Sequence, residues 1–234
     1  LGDTFYGISG IDTLRGGDGG YFLYGGAGND ILEGGDGSDV LDGNSGADDM
    51  TGGVGDDTFH FDNSGDRIFE LAGGGNADQV RSYVSIDMNA SAGLQQIENG
   101  YAAHTSANIS VIGNALNNQI FGNIGNNRLE GRAGTDQIDG GIGNDFIIGG
   151  SDRDTMTGGQ GRDGFRIYTP TEAGNTASTR DVITDFTSST ETGSTATSDY
   201  LDLSFMDADL LTSGHTFNFI GLNGVFTGAG QLRY

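Results

Sequence analysis

Every nine residues this chain returns to glycine, and six places into each unit it usually reaches an acid or an amide. From Gly7 the units read GISGIDTLR, GGDGGYFLY, GGAGNDILE, GGDGSDVLD, GNSGADDMT and GGVGDDTFH. From Gly113 they read GNALNNQIF, GNIGNNRLE, GRAGTDQID, GGIGNDFII, GGSDRDTMT and GGQGRDGFR. A short fixed period restricts each unit to contacts with its neighbours, so the chain must build a stacked, quasi-one-dimensional array. Nine residues are too few for a helix and a turn. They suit a six-residue Gly-rich turn and a three-residue strand whose middle side chain points inward. That middle position is apolar throughout: Phe5, Leu14, Leu23, Leu32, Leu41, Met50 and Phe59, then Ile120, Leu129, Ile138, Ile147, Met156 and Phe165. A flexible glycine linker would not keep an apolar residue in phase. Two units then form one coil, and coils stack at about 4.8 Å. The expected fold class is all-β: a right-handed parallel β-roll, or β-solenoid, in two repeat blocks with a β-rich C-terminal cap.

Four segments follow. Residues 1–60 form the first block, 61–112 a bridge, 113–168 the second block and 169–234 the cap. The bridge carries alternating runs, Val80–Met88 and Ile109–Ile112, that read as strands. Larger coils continuing the solenoid are expected there, with a separate small domain as the alternative. In the cap, DVITDF (Asp181–Phe186), DYLDLS (Asp199–Ser204), TFNFI (Thr216–Ile220) and QLRY (Gln231–Tyr234) read as strands, the first two split by a Ser/Thr/Gly-rich loop at 187–198. An exposed solenoid end needs such an atypical closing unit.

Charge raises the question of what holds the stack together. The 234 residues carry a formal charge of -23, with 45 Gly, no Cys and one Pro, and all ten basic residues are Arg. High net charge with modest hydrophobicity ordinarily leaves a chain unfolded. Divalent cations would cancel the repulsion and link the turns, about ten of them supplying roughly +20. The chain is therefore expected to fold with metal and to be disordered without it. Lack of Cys excludes a disulfide framework and thiolate sites. An acidic pI of about 4.1 argues against nucleic acid, and no run of about 18 apolar residues is available to span a membrane.

The sixth position carries the metal chemistry. Calcium takes six to eight oxygens at about 2.3–2.6 Å. Glycine turns let successive carbonyls face one centre, and two stacked turns, each giving a carboxylate and about two carbonyls, reach six. Stacked turns lie two repeats apart, so ligands pair at a spacing of eighteen. One edge aligns Asp12, Asp30 and Asp48; the other aligns Asp3, Tyr21, Asp39 and Asp57, with Tyr21 interrupting the row. In the second block the rows are Asn118, Asp136, Asp154 and Asn127, Asp145, Asp163. The complete pairs are Asp12/Asp30, Asp30/Asp48, Asp39/Asp57, Asp136/Asp154 and Asp145/Asp163. Asp3, Asn118 and Asn127 are weaker candidates; asparagine keeps an oxygen but loses the charge, and an Asn ladder can start a stack without metal. Carbonyl ligands are expected from Gly25, Gly26, Ala27, Gly28, Gly34, Gly35 and Gly37, and from Gly140, Gly141, Ile142, Gly143, Gly149, Gly150 and Ser151. Asp181, Asp185, Asp199 and Asp202 are candidates in the cap. Glu33, Asp42, Glu130 and Asp139, at position nine, are expected to face solvent. Asp152 stands where a turn glycine belongs, as strain or as an extra ligand. The cluster Tyr21, Phe22 and Tyr24 reads as a hydrophobic patch replacing a cation, or as a partner contact.

These units resemble the RTX calcium-binding repeat, with GGAGNDILE and GGIGNDFII close to its consensus. GDRIFE followed by GNALNNQIF and GNIGNNRLE resembles a common join between RTX blocks. DVITDF, DYLDLS, TFNFIG and GAGQLRY resemble the C-terminal RTX domain of serralysin-type proteases, where a further strand and a secretion signal follow. The resemblance implies a parallel β-roll, about five to ten Ca²⁺ ions ligated by repeat aspartates and carbonyls, and export from a Gram-negative cell by a type I secretion apparatus. Localisation would be extracellular, secreted or cell-surface.

No H-E-x-x-H or G-x-S-x-G motif is present. The three histidines, His60, His104 and His215, form no ligand pattern. The chain itself therefore reads as a non-catalytic calcium-binding module that supports export and extracellular stability. Two alternatives stay open: the C-terminal part of a secreted metalloprotease, lipase or epimerase with its catalytic domain before Leu1, or a segment of a surface, matrix or adhesion protein.

Overall fold

The computed structural model describes residues 2–90, 93–167, 181–186 and 198–202, and the backbone of residues 218–219 and 231–232. The strands of the first block are β1 (Thr4–Tyr6), β2 (Thr13–Asp18), β3 (Phe22–Ala27), β4 (Ile31–Asp36), β5 (Val40–Ser45), β6 (Asp49–Val54) and β7 (Thr58–Phe61). Next come β8 (Arg67–Phe69), β9 (Gln79–Ser82), β10 (Ile86–Asp87), β11 (Asn99–Ala102) and β12 (Ser110–Ile112). The second block holds β13 (Gln119–Phe121), β14 (Arg128–Ala133), β15 (Gln137–Asp139), β16 (Phe146–Ser151), β17 (Thr155–Thr157) and β18 (Gly164–Arg166). β19 (Val182–Ile183), β20 (Tyr200–Asp202), β21 (Asn218–Phe219) and β22 (Gln231–Leu232) follow. Among the described residues the one helical element is a 3-10 turn at Leu94–Gln96.

The odd strands β1 to β19 form a single ten-stranded sheet. The even strands form two sheets, β2-β4-β6-β8 and β10-β12-β14-β16-β18-β20. All pairings are parallel, and in the blocks each strand pairs with the one two repeats on, as in Leu23↔Leu41 and Ile147↔Phe165. The chain is thus a β-solenoid with two nonapeptides per coil. The eighth-position side chains meet between the sheets: Leu23, Leu32, Leu41, Met50, Phe59, Ile120, Leu129, Ile147 and Phe165 are all at 0 % exposure. At about 1.5–3 kcal/mol for each large apolar side chain buried, this ladder is the main apolar contribution to the stack. Phe5 is 36 % exposed because β1 is the sheet edge.

β1, β13, β15, β17 and β18 keep the expected three residues, but other strands are longer. β3, β4, β5 and β6 run six, because the ladder continues round the bend through pairs such as Gly26↔Asn44 and Ala27↔Ser45. That close stacking depends on glycine. Gly28 has φ +139°, and a Cβ there would lie 1.8 Å from the Gly10 carbonyl oxygen. Asp152 occupies the equivalent turn position at φ 79°, exposed to solvent. It carries a backbone conformation that costs an L-residue about 1–2 kcal/mol.

The odd sheet runs unbroken through residues 61–112, where Thr58↔Gln79, Gln79↔Asn99 and Asn99↔Gln119 mark coils longer than eighteen residues. The run Val80–Met88 is divided between two sheets. β9 ends at Ser82, whose buried hydroxyl donates to the Val84 carbonyl across the bend, and β10 begins at Ile86. β8 and β10 do not pair. Between them lies a cleft of about 390 Å³ lined by Phe61, Ile68, Phe69, Ile86 and Leu94. β19 and β20 add one strand to each sheet, pairing with β17 and β18. Of the TFNFI and QLRY readings, only residues 218–219 and 231–232 are described, as paired strands; residues 187–197 lie outside the described residues.

Candidate metal centres

Each sixth-position residue stands immediately before a strand, on the edge where the chain passes from one sheet to the other. The five predicted pairs are direct neighbours. In each, the earlier residue's backbone N–H donates to Oδ1 of the later aspartate: Asp12 to Asp30 at 2.8 Å, Asp30 to Asp48 at 2.7 Å, Asp39 to Asp57 at 2.8 Å, Asp136 to Asp154 at 2.9 Å and Asp145 to Asp163 at 2.8 Å. One oxygen of every carboxylate is therefore committed to the coil before it. The other is not. Oδ2 of Asp30, Asp39, Asp48, Asp57, Asp136, Asp145 and Asp163 is buried and accepts no hydrogen bond.

Those Oδ2 atoms share a common setting. A Cβ added to Gly25 would lie 2.5 Å from Asp30 Oδ2 and 2.8 Å from the Gly43 carbonyl of the next coil. At Gly34 the same two groups are Asp39 Oδ2 at 2.4 Å and the Gly52 carbonyl at 2.7 Å. Gly131 meets Asp136 Oδ2 and the Gly149 carbonyl, and Gly140 meets Asp145 Oδ2 and the Gly158 carbonyl. The first glycine of each turn thus opens a small space onto which a carboxylate oxygen and a neighbouring carbonyl converge. A buried carboxylate oxygen without a donor is costly, by several kcal/mol for an uncompensated charge. A hard, oxygen-seeking divalent cation resolves the conflict, so the residues present fit calcium.

Electrostatics reports the same strain. Burial pushes Asp136 up to about 8, Asp57 and Asp145 to about 7, and Asp48 and Asp163 to about 6, against the partial relief of one backbone N–H each. Asp39 is raised for the same reason.

The other candidates divide by their partners. Asp3 is exposed on the edge strand's approach, and Asp12 Oδ2 accepts the Ile8 N–H at 3.1 Å. Asn118 and Asn127 face the same cradles, but their amides are engaged. Asn118 Nδ2 donates to the carbonyls of Ile97 and Glu98, and its Oδ1 accepts from Asn114. Asn127 Nδ2 donates to the Ile109 carbonyl, and its Oδ1 accepts from Asn123. An NH₂ group does there what a cation would do elsewhere. Asp181 and Asp199 extend the two rows, accepting the N–H of Asp154 and Asp163. Asp185 accepts Gly158 and Gly159 N–H, and Asp202 pairs with Arg166 at 2.6 Å. Among the expected carbonyls, those of Ala27 and Gly141 accept the N–H of Gly10 and Gln160 within the stack. The Gly25, Gly34, Gly140 and Gly149 carbonyls project toward the first glycine one coil earlier, those of Gly28, Gly35, Gly37 and Gly143 toward a glycine one coil later. Gly26 O accepts from Ser45 Oγ, and Gly150 and Ser151 lie in β16, paired with Arg132 and Ala133.

The position-nine acids stay part-exposed, as expected, but each has a partner. Glu33 pairs with Arg15 at 2.7 Å, Asp42 with His60 at 3.5 Å, and Glu130 with Arg128, while Asp139 Oδ1 accepts the Gly141 N–H. Tyr21 breaks its row sterically as well as electrically. Its ring occupies the Gly16 cradle, Cδ2 lying 2.7 Å from the position of a Gly16 Cβ, and it stacks on Phe5 at 5.7 Å. Its backbone N–H still donates to Asp39 Oδ1. Tyr21→Asp is expected to add one bound calcium per chain by equilibrium dialysis; an unchanged ion count would contradict the row assignment.

Three acids escaped the repeat pattern. Asp66, Asp78 and Glu98 continue the rows through the bridge, accepting the N–H of Asp48, Asp57 and Asp78. Their signal is an acid directly before a strand triplet, as in D-R-I-F and D-Q-V-R, and it needs no glycine turn. Asp66 closes its row without an orphan, since its Oδ2 accepts from Asp62 and Asn63.

The family model for the RTX calcium-binding nonapeptide repeat matches the chain in four copies, over residues 6–37, 24–59, 112–147 and 133–165. No curated protein matches the chain. Repeats of this family bind multiple calcium ions, and the aspartates with donor-free buried Oδ2 atoms lie within the matched segments. The two blocks are RTX calcium-binding nonapeptide repeats stacked as a parallel β-solenoid, which supports an RTX β-roll.

Proposed function

We propose that this chain is the calcium-folded roll of an exported bacterial protein, unfolded where calcium is scarce and folding outside the cell, where millimolar calcium fills the cradles. The observation that carries the reading is the row of buried, donor-free Oδ2 atoms facing carbonyls of the next coil. RTX repeats occur typically in secreted or extracellular bacterial proteins, which supports an extracellular location and passage through a type I apparatus as an unfolded chain. In this reading the ions sit at Asp12/Asp30, Asp30/Asp48, Asp39/Asp57, Asp136/Asp154 and Asp145/Asp163, and segments 1–60, 61–112, 113–168 and the coil built by Asp181 and Asp199 fold as one stack. The module stabilises or displays what is attached to it and performs no chemistry of its own. The serralysin-like character of the cap belongs to the same proposal.

Limited proteolysis tests the switch. Digestion by a broad-specificity protease is expected to be at least a hundredfold faster in EGTA than in 5-fold molar excess over saturating calcium. Equal rates would remove the reason for linking folding to the extracellular side.

A further inference from the structure

The first block ends on a cradle unlike the others. Gly16, Gly34 and Gly52 are the first glycines of three successive turns on one edge, eighteen residues apart, and the next residue in that series is Glu70. At Gly34 the cradle is completed by a carbonyl of the following coil. At Gly52 it is completed by a side chain: a Cβ on Gly52 would lie 2.3 Å from Asp57 Oδ2 and 2.3 Å from Glu70 Oε2. Glu70 has thus replaced a backbone carbonyl with a carboxylate at the same place.

Asp57, Glu70 and Asp78 offer oxygens that all lie within 4.8 Å of one another. They are 0 %, 6 % and 1 % exposed. Asp57 Oδ2 and Glu70 Oε2 are both buried and accept no hydrogen bond, while Glu70 Oε1 accepts the Leu71 N–H at 2.8 Å and Asp78 Oδ1 the Asp57 N–H at 2.7 Å. None of the ion pairs among the described residues involves any of the three. Three buried carboxylates are therefore gathered together with no ion-pair partner among the described residues. Burial of that kind persists in proteins when a metal is coordinated.

We propose that Asp57, Glu70 and Asp78 form a calcium site of their own at the junction of the first block and the bridge, with Glu70 as a ligand the nonapeptide does not contain. Its donor set carries one more negative charge than a repeat cradle, and charge count raises calcium affinity. The site joins β7, β8 and β9, the three strands over which the eighteen-residue stride is lost, so its ion pins the first lengthened coil to the last regular one. The assignment rests on the reading that the repeat cradles bind calcium.

The test is calcium titration of the full chain by calorimetry and equilibrium dialysis, comparing wild type with Glu70→Gln, Glu70→Gly, Asp145→Asn and Glu33→Gln. Glu70→Gln is expected to lose one ion per chain or to weaken the tightest class of site at least tenfold. Glu70→Gly restores the repeat's own residue, so it folds, and is expected to keep the ion count but lose the same tightest class. Glu33→Gln removes an equal charge from a half-exposed ion pair and changes neither. If Asp145→Asn loses an ion while both Glu70 variants titrate like wild type, the junction site is refuted and the repeat reading stands. If wild type binds no calcium, the repeat reading itself has failed.

Discussion

Chelating calcium from the folded chain is expected to abolish most of its strand signal and to expand it to a radius of gyration of about 53 Å, the scaling for an unfolded chain of this length. The magnitude follows from how little else opposes unfolding. The apolar core is one side chain wide, and there is no disulfide to limit the unfolded ensemble. A formal charge of -23 acts against compaction. Each site filled at a hundredfold excess over its dissociation constant adds about 2.7 kcal/mol. Five such sites match the whole stability of an ordinary domain, about 5–15 kcal/mol. Refolding is expected at about 10⁻⁴–10⁻³ M Ca²⁺, the range of extracellular modules, whereas Mg²⁺ should fail because it demands a smaller octahedral shell and gives up water reluctantly. Far-UV circular dichroism and small-angle scattering in EGTA and in calcium check this directly. A strand spectrum and radius unchanged by EGTA would contradict it.

The second large effect is a reversal in the sign of pH dependence. Without metal, the folded chain holds Asp136 at about 8, Asp57 and Asp145 at about 7, and Asp48 and Asp163 at about 6, all above the ordinary 3.8, because burial disfavours their charged forms. Between about pH 4 and 8 the metal-free fold therefore binds more protons than the unfolded chain. Its stability falls as pH rises through that window, each pKa unit of each group being worth about 1.4 kcal/mol. Acidifying an EGTA sample from about pH 8 to 5 is expected to restore strand content, a proton standing in for a cation at each Oδ2. With calcium bound the ligands must stay deprotonated, so the same acidification displaces ions and lowers stability. Thermal melts at about pH 5, 6.5 and 8, with and without calcium, would show curves of opposite slope; two curves of the same slope would mean that the buried carboxylates are not the ion ligands.

The repeat made the stack legible because its period fixes three things together: the inward residue, the turn and the spacing of eighteen between acids. Leu41 lies beside Leu23, and Asp48 accepts from Asp30, for no reason beyond that count. The committed oxygen was not legible. Pattern alone treats an aspartate as two free ligands, whereas Asp30, Asp39 and their equivalents each give Oδ1 to a backbone N–H and keep only Oδ2. The bridge was hidden for another reason. Once coils grow beyond eighteen residues, Asp78 and Glu98 fall out of phase with the sixth-position acids, although the geometry returns them to the same row. Glu70 replaces a glycine, and replacement of the most regular residue reads in a sequence as the end of a repeat. Asn118 shows the converse. It satisfies the consensus oxygen count while its amide nitrogen spends itself on neighbouring carbonyls.

Ions between coils are the central claim, and diffraction at wavelengths where calcium scatters anomalously tests it most directly. Crystals grown in calcium should show anomalous peaks between Oδ2 of Asp30, Asp39, Asp136 and Asp145 and the glycine carbonyls of the following coils, with none against Tyr21. Folded crystals with no anomalous density in those cradles, and with the Oδ2 atoms bonded only to water or protein donors, would contradict the account.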